Sequence, residues 1–85
     1  MSDNKVLVKL IVPELDKTYD IMLPLNKKIG SVIKLINKAL EDLNDGIYKG
    51  NEHQCLYNRY TTIRYNFNSY VYETDIRNDT ILILI

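Results

Sequence analysis

The sequence predicts one small α+β domain in which a mixed sheet wraps around a single helix. Three observations carry that expectation. Two apolar runs with a period of two stand near the N-terminus, a helical apolar stripe follows, and the chain closes on a run that is apolar on both faces. With 85 residues there is room for one core only, so residues 1–85 are expected to form a single domain.

Each element has its own signal. In residues 5–12, Val6, Val8, Leu10 and Val12 share one face, and Lys5, Leu7, Lys9 and Ile11 share the other. Pro13, which has no N–H to give a ladder, and the polar Glu14-Leu15-Asp16 end that strand. Residues 17–23 alternate again, with Tyr19, Ile21 and Leu23 in register, so the pair reads as an antiparallel hairpin. After Pro24 the period changes. Ile29, Val32, Ile33, Ile36, Leu40 and Leu43 form one helical stripe, while Lys34, Asn37, Lys38, Glu41 and Asp42 lie off it on a solvated face. This predicts a helix over about 29–43, with Ser31 as its cap if it starts late and Asn44-Asp45-Gly46 as its stop.

Beyond it the signals are shorter. Residues 45–54 read as polar loop, Cys55 to Arg59 as a strand with Thr61 to Tyr65 as its hairpin partner, and Asn66 to Ser69 as a turn. Tyr70-Val71-Tyr72 reads as a short extended piece and Asp75 to Asp79 as a tight turn rich in residues that tolerate positive φ. Thr80 to Ile85 is apolar on both faces, the pattern of a central strand. Placed beside the first strand and parallel to it, this strand completes a β-grasp arrangement with a four- to five-stranded mixed sheet.

In order and spacing, the chain from about Lys5 to Ile85 resembles the ubiquitin-like superfamily. The carrying residues are Lys17 to Leu23 for the second strand, Pro24 followed by Ile29, Val32, Ile33 and Ile36 for the helix, Leu56 for the third strand, and Val71, Asp75-Ile76 and Asn78 to Ile83 for the closing turn and last strand. Within that superfamily the length and the Thr74 to Leu82 ending are similar to the bacterial YukD/EsaB-like family, encoded with type VII (WXG100) secretion systems. The Tyr- and Asn-rich stretch from Asn58 to Tyr70 departs from that pattern. The resemblance implies a protein-binding module, an accessory or regulatory component of such a system, rather than an enzyme.

Composition narrows the partners. Eleven Lys and Arg balance eleven Asp and Glu, so the chain is formally neutral and lacks the cationic surplus that drives binding to nucleic acid or to anionic membranes. One Cys excludes an internal disulfide and a Cys-based metal cluster. No apolar run has the length of a membrane span, and Met1 to Lys5 lack the blocks of a signal peptide, so a cytoplasmic protein is expected. The partner is then another protein, with the chain itself a monomer or weak homodimer. The chain ends Leu84-Ile85, without the Gly-Gly that conjugation by ubiquitin-like proteins uses, so neither tagging nor sulfur-carrier chemistry is expected.

Signals for catalysis are thin. His53 and Cys55, two apart, would share a face of a strand, but no further ligand or orienting group accompanies them. Glu41-Asp42 and Asp75/Asp79 read as a solvated helix face and a turn. Three glycines at 30, 46 and 50 cannot build a phosphate loop. No catalytic, metal or cofactor residue is therefore expected. Seven Tyr residues stand out, five of them (57, 60, 65, 70 and 72) close together with Arg59 and Arg64. Ordinary strand chemistry accounts for them first and a protein-binding surface second. The alternative function is a β-grasp module that binds RNA or a small ligand through this Tyr/Arg segment. The binding patch expected from the β-grasp register is Leu7, Ile11, Tyr57, Leu82 and Leu84, on the sheet face away from the helix.

Overall fold

The two periodicities resolve into four strands and one α-helix. The structure is a computed structural model and describes residues 4–85, so part of the N-terminal segment read for a leader lies outside the described residues. Strand β1 (Lys5–Val12) and β2 (Lys17–Pro24) pair antiparallel, the helix α1 covers Ile29–Leu43, and β3 (Leu56–Asn58) and β4 (Ile81–Leu84) follow. The sheet order is β2-β1-β4-β3, with β1 and β4 parallel and β3 antiparallel to β4. This is the β-grasp arrangement, with the two strands from the ends of the chain in the middle of the sheet.

The turn between β1 and β2 is a 3₁₀ turn, Pro13–Leu15, closed by Asp16 in the left-handed region at φ 53°. Proline suits its first position because no N–H is required there. Val6, Val8 and Leu10 stand opposite Leu23, Ile21 and Tyr19, so one inner face runs across both strands. The helix lays Ile29, Val32, Ile33, Ile36 and Leu40 onto that face and buries all five. Burying an aliphatic side chain of this kind contributes about 1.5–3 kcal/mol, which makes this face the main source of stability.

Several local expectations are corrected. Ser31 does not cap the helix; Lys28 occupies the N-cap position, and the Ile29 and Gly30 N–H groups donate to the Ser69 and Phe67 carbonyls. The segment after the turn at 66–69 is not extended but forms a 3₁₀ turn, Val71–Glu73, whose first residue packs into the core. The hairpin partner of β3 shrinks to one bridge, Tyr57 to Arg64. Asn37, expected on the solvated helix face, is buried, and the polar loop that follows the helix brings Tyr48 and Gln54 in beside it.

Those three side chains close a ring. Tyr48 Oη donates to Asn37 Oδ1, Asn37 Nδ2 donates to Gln54 Oε1, and Gln54 Nε2 donates back to Tyr48 Oη, each at 2.8 Å. The Asn51 N–H also donates to Gln54 Oε1 at 2.9 Å. A buried polar group without a partner costs about 1–3 kcal/mol, so a ring with every member bonded is a strong clamp on the loop. Gly50 lies against the ring, and a Cβ there would fall inside the contact radii of Asn37 Cβ and Cγ. Gly50→Ala is therefore expected to lower unfolding free energy by about 1–3 kcal/mol, read by urea melts, because the short locked Asn37 side chain cannot swing aside.

Candidate functional site

Directly paired residues share a face of a sheet, so the register assigns the outer surface row by row. One row runs Thr18, Ile11, Ile83, Tyr57 and, through the bridge, Arg64. The next is Asp20, Lys9 and Ile81, and the third Met22 and Leu7. Ile11, Ile81, Ile83 and Tyr57 are half-buried, while Leu7 is 43% and Met22 51% exposed. Lys9 Nζ and Asp20 Oδ1 form an ion pair at 2.9 Å across this surface. Both partners are largely exposed, so it contributes at most about 1 kcal/mol.

Three of the five residues expected in the patch, Leu7, Ile11 and Tyr57, lie on this outer face. Leu82 and Leu84 do not: both are fully buried under the helix, 0% and 1% exposed. Leu82 pairs with Leu10, and Leu84 with Leu56, all core residues. The outward residues of β4 are Ile81 and Ile83 instead. A strand apolar on both faces has no alternation of its own, and a one-residue slip exchanges its faces. The phase is set from outside the strand, where the Asp79 N–H donates to the Leu7 carbonyl at 2.8 Å and the Leu7 N–H donates to Asn78 Oδ1 at 2.9 Å.

The tyrosines do not assemble into one platform. Tyr65 is buried and donates to Asp75 Oδ1 at 2.6 Å while accepting from Asn58 Nδ2 at 3.1 Å. Tyr70 and Tyr72 stack on each other with centroids 5.3 Å apart, and Lys28 Nζ lies 5.8 Å from the Tyr70 ring. Tyr60 stands exposed at the tip of the segment. His53 and Cys55 are not brought into a working pair. The Cys55 thiol points at the His53 carbonyl, 3.6 Å away, and the exposed imidazole is 4.0 Å from Glu52. Among the described residues no three His, Cys, Asp or Glu side chains gather as a metal site would require. No helix in them is long and apolar enough to cross a membrane.

Two concavities flank the helix. One, of about 650 Å³, mixes Lys28, Lys34 and Lys38 with Glu41 and Glu52. The other, of about 300 Å³, is an apolar groove between α1 and β2.

Comparison with solved structures identifies the architecture. A structure described as molecular mimicry of SUMO in DNA repair superposes over 100% of this chain and 95% of its own, with a TM-score of 0.81 at 10% identity. The ubiquitin-like domain of the Mycobacterium tuberculosis type VII secretion system protein ECCD1 matches over 100% of this chain and 99% of its own, with a TM-score of 0.70 at 10% identity. The EccD5 ubiquitin-like domain from Mycobacterium xenopi matches over 98% and 94%, with a TM-score of 0.70 at 16% identity. The fold is ubiquitin-like. No family model and no curated protein matches the sequence. At these identities the likeness concerns the fold.

Two outcomes are expected. Leu82→Ala leaves a cavity in the core and costs about 2–5 kcal/mol in denaturant melts, whereas Ile83→Ala on the outer face costs well under half of that. Burial, helped by the hydrogen bond to Asp75, pushes the Tyr65 hydroxyl up to about 12. The folded chain thus keeps a proton that the unfolded chain releases near pH 10, so this contribution is complete below pH 10 and is lost as pH rises from about 10 to about 12. Absorbance titration of phenolate formation is expected to show a late step that Tyr65→Phe removes.

Proposed function

We propose that this chain is a non-catalytic, ubiquitin-like binding module, related to the YukD/EsaB-like proteins, that serves as a cytoplasmic accessory or regulatory component of a type VII secretion system. It docks a partner protein of that system on the outer face of its sheet. The row Ile11, Ile83 and Tyr57, extended by Leu7, Ile81 and Met22, carries this reading. It is an apolar surface spread over all four strands, crossed by one weak ion pair, and surfaces of this kind mark protein interfaces. The likeness in fold to the ubiquitin-like domains of ECCD1 and EccD5 supports the secretion setting.

The test is affinity capture of the tagged chain from cells that carry its genomic neighbours, comparing the parent with Ile83→Lys. Retention of a secretion component that falls about tenfold or more in the folded variant is the expected result. Equal retention by both chains, or a captured partner unrelated to secretion, refutes the proposal.

A further inference from the structure

The larger concavity, of about 650 Å³, lies between α1 and two loops, at 50–54 and 67–68. That is the size of a small-molecule site. Ser31, Lys34, Asn37 and Glu41 stand three or four residues apart, so they share one helix face, and all four line the cavity. Gly30 lets a second wall approach: a Cβ there would stand 3.5 Å from the Phe67 Cβ. Phe67, 40% exposed, and the buried Ile33 give the middle of the cavity its apolar surface.

The end at the helix start suits an anion. The Ile29 and Gly30 N–H groups donate to the Ser69 and Phe67 carbonyls and the Val32 N–H to the Lys28 carbonyl, but the Ser31 N–H has no acceptor among the described residues. The Ser31 hydroxyl makes no hydrogen bond among them either. Lys28 and Lys34 line the same end. Lys38 is drawn to Asp42 at 3.8 Å, whereas Lys34 makes no ion pair among the described residues. Two ammonium groups, an N–H and a hydroxyl at the positive end of a helix match a phosphate group.

The other end adds donors of a different kind. Asn37 and Gln54 are more than nine-tenths buried. The Asn51 N–H makes Gln54 Oε1 an acceptor, which sets the orientation of both amides in the ring. Each amide nitrogen has two hydrogens and spends one inside the ring, on Gln54 Oε1 or Tyr48 Oη. The second hydrogen of each has no acceptor among the described residues, and a buried donor left so is costly. Both side chains line the cavity, where a ligand carbonyl can meet them. Glu41, one turn beyond Asn37, supplies an acceptor beside these donors.

We propose that this cavity binds a free guanine nucleotide, with the phosphate at Lys28, Ser31 and Lys34 and the base at Asn37, Gln54 and Glu41. Amide donors next to a carboxylate complement guanine, whose O6 accepts and whose neighbouring ring N–H and amino group donate. Adenine carries an amino group in place of O6 and would set donor against donor. Ser31 and Asn37 are separated by about 9 Å along the helix, a span that a ribose bridges between phosphate and base. The neutral chain lacks the cationic track that a polynucleotide requires, which favours a mononucleotide over RNA. The proposal does not rest on the docking role of the outer face, so either can fail without the other.

The test is a titration of the full chain, followed by its amide signals in NMR spectra, with GMP, AMP, inorganic phosphate and a guanosine-containing RNA tetranucleotide. GMP is expected to shift Ser31, Lys34, Asn37, Gly50 and Gln54 saturably, with AMP and inorganic phosphate about tenfold weaker or more. Lys34→Glu is expected to weaken GMP to a similar degree. Glu41→Gln is expected to bring GMP down toward AMP while inorganic phosphate binds as before, a split that a purely structural role would not produce. Ile83→Lys is expected to bind GMP as the parent does. No saturable shift with GMP, AMP or phosphate binding as tightly as GMP, shifts that map elsewhere, or RNA that binds more tightly than GMP would overturn the proposal.

Discussion

The parallel pairing of β1 with β4 is the constraint on which the rest of this molecule depends. It joins the two ends of the chain at the centre of the sheet, in the register Leu10 beside Leu82 and Ile11 beside Ile83. The inner row it creates, with Val8, Val12, Leu56 and Leu84 alongside, is the floor on which the helix rests. Parallel strands need a long crossover, and here the crossover contains nearly everything else: the second strand, the helix, β3 and the loops. The outer surface is the reverse side of the same pairing.

Polar groups fasten what the apolar core cannot reach. The ring of Tyr48, Asn37 and Gln54 ties the loop after the helix to the helix itself. Tyr65, bonded to Asp75 and Asn58, ties the 58–65 segment to the closing turn. In each case a tyrosine lies in the core with its hydroxyl held, and burial raises the pKa of both hydroxyls. Among the described residues no buried side-chain nitrogen or oxygen is left without a hydrogen bond. The tyrosine content is thus partly structural: two of the seven act as polar-tipped core residues.

The candidate surfaces follow from where packing stops. Among the described residues no layer covers the outer face of the four strands, and β-branched Ile81 and Ile83 fill that face in β4. The helix is apolar over a wider arc than the sheet can cover, which leaves the groove beside β2. These features lie on different sides of the molecule.

Periodicity alone determined much of this protein. The limits of the helix, the β1–β2 hairpin and the central place of the last strand were all legible, because each writes a repeat of its own length into the chain, and the resemblance in order and spacing of these elements added the ubiquitin-like class. Even the outward positions of Leu7, Ile11 and Tyr57 could be read, since their strands have one polar or mixed face. The tertiary structure decided the rest. Leu82 and Leu84 turned inward because an all-apolar strand takes its phase from the pairing at Leu7, Asn78 and Asp79, which are far apart in sequence. Asn37 became a core residue because Tyr48 and Gln54 came to meet it. A repeat is a local property of the chain, whereas the partner that satisfies a polar group or fixes a register is known only once distant segments touch.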